Sequence, residues 1–164
     1  MVFTSSESLF EYLTMTYHVQ DRPSVDIATF GMYLGFAKGK DWHITHPQAP
    51  RKFIDIVDKS NLRILIGKPV LMPCVPDCQH CTKIYEDKQK EVGKTIRELA
   101  IVAKLVDKFH MKMYRVGNVY VSGGINLGPS NWVDVSFTID DAEQQMVMQK
   151  LFDEVWEGGT ISWG

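Results

Sequence analysis

His110 and Lys112, followed by Gly123, Gly124 and Asn126, are the residues of this chain best suited to phosphorus chemistry. His110 to Val116 reads as a strand, in which alternate side chains share a face, so His110, Lys112 and Tyr114 project together. A lysine ammonium beside an imidazole supplies a cation for a phosphoryl oxygen and leaves the histidine available as a nucleophile. The two glycines let backbone approach a ligand closely, and the Asn126 amide can bond to phosphate or to the histidine. A second group lies upstream. Pro73 to Cys81 puts Cys74, Cys78 and Cys81 within one loop and the first turn of a helix. Thiols this close suit a structural zinc, which takes four ligands from Cys and His. The fourth can be His80 in the same loop, or His43 or His46 from an earlier one; three free thiols are the alternative.

The elements that must position these groups follow from hydrophobic periodicity. Ser8 to Tyr17 reads as a helix, Val25 to Tyr33 as a buried strand, Pro50 to Asp58 as a helix and Asn61 to Ile66 as a second strand. Strand, helix, strand implies a parallel pair joined by a right-handed crossover. A long helix from Thr82 to Phe109 carries Val92, Ile96, Leu99, Ala103 and Val106 as one apolar stripe. His110 to Val116, Val119 to Ser122 and Val133 to Ile139 then extend the sheet with antiparallel strands, and Gly117-Asn118 makes the first turn. Asp140-Asp141 caps a last helix, Ala142 to Trp156, with Met146, Val147, Leu151, Phe152 and Val155 toward the sheet. The fold class is therefore α/β, a sandwich with a mixed parallel and antiparallel central sheet flanked by helices.

At His110, Lys112, Gly123, Gly124 and Asn126 the sequence resembles the phospholipase D superfamily of phosphodiesterases and nucleases. That signature is His, any residue, Lys, commonly an Asp in the turn that follows, then Gly-Gly or Gly-Ser, any residue, Asn. Val25 to Phe30 and Leu62 to Ile66 are similar to its first two core strands, so most of the chain is covered. Gly117 stands at the usual Asp position, and the His-to-Asn spacing is shortened. A carboxylate after the Asn often supports the histidine in this family, and Asp134 is the nearest match. The resemblance implies a phospholipase D-like fold and a phosphodiesterase, foremost a nuclease, acting on DNA or RNA through a phosphohistidine with no metal needed at phosphorus. With a single motif, the second histidine would come from a second copy, giving a homodimer. The alternative is a catalytically weak module that binds nucleic acid or protein and is stabilised by zinc. The cysteine spacing also matches the cluster loop of radical S-adenosylmethionine enzymes, but too few residues follow Cys81 for their barrel.

Composition bounds the rest. The 164 residues, 45% hydrophobic and 23% charged, read as one domain over 1–164, with the Cys-rich loop at 73–81. A net charge of -2 excludes a globally basic, histone-like or ribosomal surface, so any anion site is local. No apolar run reaches the roughly 18 residues of a membrane span, and the start lacks the basic-then-apolar order of a secretory signal. The expectation is a cytoplasmic protein with no membrane partner.

Overall fold

The computed structural model describes residues 1–34, 36–38, 45–68, 74–128, 134–158 and 161–163. The chain begins with β1 (Val2–Phe3), α1 (Ser6–His18), β2 (Val25–Thr29), β3 (Phe36–Lys38), β4 (Thr45–Pro47) and α2 (Ala49–Ile56). It continues through β5 (Leu62–Gly67), α3 (Gln79–Glu98), β6 (Ala103–Val106), β7 (Met113–Val116) and β8 (Val119–Gly123). β9 (Ser136–Ile139), α4 (Ala142–Gly158) and β10 (Ile161–Trp163) complete it. The fold is α/β, around an eight-stranded mixed sheet in the order β1-β9-β8-β7-β2-β5-β6-β10. β2, β5 and β6 run parallel; β7, β8, β9 and β1 alternate antiparallel on one side of them, and β10 closes the other.

β2 is buried along its whole length, so its alternate residues feed two different cores. Val25 and Ile27 face α1 and α2, where Phe10 packs on Phe53 and edge-on to Tyr114 with ring centroids 5.9 and 5.3 Å apart. The helix stripe that reaches this core is Leu9, Phe10 and Leu13, started by the Ser5 hydroxyl accepting from the Ser8 N–H. Ala28 faces the other way, with Leu65 and Met113, onto Phe152 of α4.

Two expectations are corrected. The helix read over Thr82 to Phe109 ends at Glu98, and Ala103 and Val106 belong to β6, parallel to β5. The helix ends in a Schellman arrangement: Ile101 N–H donates to the Ile96 carbonyl and Ala100 N–H to that of Arg97, with Ala100 at φ 51°. An alanine there leaves no glycine to announce the stop.

On α4, Met146, Val147 and Leu151 are exposed rather than turned to the sheet, whereas Phe152 is buried and Val155 half-buried beside Met148 and Trp156. The reason is the charge beneath the helix. Asp26 is buried under α4 and is bound by Arg63 (2.7 Å) and Arg115 (2.9 Å). Gln149 donates to the same carboxylate, and Asp153 accepts from Arg63. The inward face of α4 must supply those polar partners, so its most apolar stripe is not the buried one.

The C-terminal ends of β2, β5 and β6 line one edge of the sheet, where ligands of open α/β folds bind. Register brings the start of β7, the end of β8 and the start of β9 to that same edge, through Ala28 against Met113, Met113 against Ser122 and Gly123 against Ser136. The segments holding both chemical constellations therefore leave the sheet together.

Candidate functional site

The ladder of β7 on β2 stops at Met113, opposite Ala28, so His110 to Lys112 lead into the strand rather than belonging to it, as the sequence reading had them. Released from pairing, His110 is exposed while Lys112 is buried beside it. The lysine Nζ lies 3.0 Å from Nδ1 and 3.2 Å from Nε2 of His110. Such near-equal distances set the ammonium across the ring instead of on one in-plane lone pair, and those lone pairs are what a nucleophilic imidazole uses. Burial holds the Lys112 ammonium below the ordinary lysine range, and the charge of Asp134 opposes that shift. Lys112 forms no ion pair among the described residues.

The Gly123–Asn126 segment is fixed from beneath and from both sides. Gly123 has φ 152°, and a Cβ on it would stand 2.2 Å from the Val135 carbonyl oxygen, so only glycine fits there. Gly124 N–H donates to that carbonyl (2.7 Å), Ile125 N–H donates to Ser136 Oγ, and the buried Tyr114 hydroxyl donates to the Ile125 carbonyl. Burial pushes the Tyr114 phenol well above its ordinary range, so it stays a neutral donor. Asn126 Oδ1 accepts from Gly31 N–H (3.0 Å). That bond fixes the amide orientation and leaves the Asn126 NH₂ as a donor without a partner among the described residues. Asp134 sits against Gly124, where a Cβ would be 3.2 Å from its Oδ1. Its charge reaches Lys112, but no hydrogen bond joins it to His110 among the described residues.

The sequence reading missed Thr29, Phe30 and Gly31, which close the site from the end of β2. The Thr29 hydroxyl donates to the Gly31 carbonyl and accepts from Leu127 N–H, and the Phe30 ring rests on the His110 imidazole. A threonine ending a buried strand and a glycine two residues past it were the available signal.

The second constellation converges at the start of α3. Cys74 Sγ lies 3.4 Å from Cys78 Sγ and 3.6 Å from Cys81 Sγ, and all three sulfurs fall within 4.8 Å of one another. Tetrahedral zinc with bonds of about 2.3 Å needs sulfurs roughly 3.8 Å apart, so the three cysteines could hold such an ion. Cys78 caps α3 and accepts from Cys81 N–H, and that bond, with the neighbouring thiols, draws its pKa down. Cys74 N–H in turn donates to Cys81 Sγ. His80, read as a fourth ligand, is exposed and stands outside the converging donor set. His43 and the side chain of His46 lie outside the described residues. Bound zinc would staple Cys74 to the first turn of α3, a structural role.

Fold and site together define an α/β protein with a histidine–lysine pair at the sheet edge formed by the C-terminal ends of its parallel strands. No family model matches the chain, and no curated protein matches it. A solved structure that aligns with the chain is that of TrmBL2, described as an archaeal chromatin protein with a novel mode of DNA binding, at 15% identity and a TM-score of 0.49. The alignment covers 98% of this chain and 52% of that one, so the chain spans about half the length of TrmBL2. No helix among the described residues is long and apolar enough to cross a membrane.

Proposed function

We propose that the chain is a phospholipase D-like phosphodiesterase of nucleic acid, with His110 as its nucleophile and a homodimer as its working form. The observation that carries this reading is the contact between exposed His110 and buried Lys112 at 3.0 Å, beside an Asn126 amide turned to donate. Those three groups are what an attack on a phosphodiester requires: a nucleophile, a cation for the phosphoryl oxygens and an oriented hydrogen-bond donor. A ring nitrogen of His110 bonds to phosphorus as the bond to the leaving oxygen breaks, and that oxygen takes a proton from His110 of the second copy. Water then attacks phosphorus, returns a proton to that second imidazole, and frees His110 and a phosphomonoester. Lys112 neutralises the growing phosphoryl charge in both steps, and Asp134 opposes loss of the lysine proton.

A second reading keeps the site without turnover, as a zinc-stabilised module that binds nucleic acid or protein. Gly117 favours it: at φ 59°, with a Cβ meeting the Gln20 side chain at 1.8 Å, this turn is built for glycine where the superfamily commonly has its Asp. Labelled single- and double-stranded DNA and RNA incubated in EDTA separate the two. Cleavage by the wild type and not by His110→Ala supports the phosphodiesterase. Retention of labelled strands on a filter with no cleavage by either protein supports the binding module.

A further inference from the structure

Phe30 is a large apolar residue left 36% exposed at the sheet edge, directly after the last residue of β2. Its ring centroid is 4.8 Å from that of His110, tilted by 46°, and 5.8 Å from Lys112 Nζ. Apart from the contact with Lys112, His110 makes no hydrogen bond among the described residues, so neither a carboxylate nor a carbonyl there fixes the imidazole. Packing must do so.

The mounting of Phe30 is suited to that task. Thr29 is tied to Leu127 and Gly31 to Asn126, which clamps the Phe30 backbone on both sides. Under the ring, the end of β5 is bare. A Cβ on Gly67 would come 2.9 Å from Phe30 Cδ2 and 2.6 Å from the Phe109 carbonyl oxygen, so a side chain there would push against the ring and the backbone leading to His110.

We propose that Phe30 is a positioning residue that sets the orientation of the His110 imidazole through ring packing, an inference that rests on the reading of His110 as the nucleophile. Its contact with Lys112 is a weaker, cation–π one that keeps the lysine on the same side of the site. A ring held in register with phosphorus acts on turnover rather than on substrate affinity, because the phosphodiester is held by Lys112 and Asn126.

The test compares Phe30→Ala, Phe30→Leu and Phe30→Tyr with the wild type by two readouts. The first is the NMR signal of the His110 ring protons, identified by their loss in His110→Ala. Removing the aromatic ring moves and broadens those signals in the Ala and Leu variants, and Phe30→Tyr restores them. The second is cleavage in EDTA, where the Ala and Leu variants lose about tenfold in kcat with little change in KM, and Tyr recovers it. Phe30→Leu keeps the apolar volume, so it carries the test if the Ala variant does not fold. His110 signals as sharp in Phe30→Leu as in the wild type, shifted only by the lost ring current, overturn the inference, as does failure of Phe30→Tyr to restore kcat. If the wild type cleaves nothing, the phosphodiesterase reading falls while the NMR comparison still decides the role of Phe30.

Discussion

Asp26 and Lys112 are both buried charges, one within β2 and the other in the segment leading into β7, and they are partnered in opposite ways. Asp26, under α4, is met by two guanidiniums and by the Gln149 amide. Lys112 has an imidazole at 3.0 Å and, among the described residues, the charge of Asp134 to offset its burial. A charge that serves the fold is compensated within the fold, because an unpaired buried ion costs several kcal/mol. A charge left short of partners next to an exposed histidine is poised for an anion that arrives from outside.

The sharpest way to break this contrast is Lys112→Met. Cleavage should fall on the order of 10³-fold, about 4 kcal/mol of transition-state stabilisation. The same variant should be more stable to urea than the wild type by about 1 kcal/mol, because the cation is removed from an uncompensated place. A loss of stability would place Lys112 with Asp26 among the structural charges. Asp26→Asn should do the opposite, costing about 3 kcal/mol in urea unfolding by leaving Arg63 and Arg115 without their shared carboxylate.

Chelation tests the cysteine centre in the same way. Only Gly93 and Ile96 of α3 are buried, both in its C-terminal half, so the N-terminal turns depend on what holds Cys74, Cys78 and Cys81 together. If zinc is bound, its removal should fray those turns and lower the Tm by roughly 5 °C, about 1–2 kcal/mol, with little effect on turnover. Parallel circular dichroism and metal analysis of Cys78→Ser check this.

The smallest effect is in pH. Burial lowers the Lys112 pKa in the folded state below its ordinary value of 10.5, so between the two values the unfolded chain binds more protons and stability rises with pH. The penalty is complete below the folded value and vanishes as pH passes the unfolded one. In Lys112→Met that part of the alkaline rise should be missing from urea midpoints measured across the window.

The residues of the candidate site were more legible in the sequence than their mounting. His110, Lys112, Gly123, Gly124 and Asn126 stand close in the chain, although strand alternation put His110 and Lys112 in a strand that begins only at Met113. What holds them was hidden because it comes from far away: Gly31 orients Asn126, and Phe30 packs on His110. The same limit explains the misread helices. The end of α3 depends on Ala100 adopting a conformation usually left to glycine, and the buried face of α4 depends on Asp26, remote in sequence from the helix it selects. The three thiols were readable because one loop and one helical turn contain them, whereas His80, equally local, lies outside their converging sulfurs.

The bond on which the proposed reaction turns joins a ring nitrogen of His110 to phosphorus. It is tested most directly by quenching a reaction of the wild-type chain with labelled oligonucleotide in EDTA and mapping the covalent adduct by mass spectrometry under conditions that preserve phosphoramidates. The expected product is a phosphohistidine on the peptide containing His110, absent from His110→Ala. Cleavage without an adduct at His110, or an adduct on another residue, would contradict it.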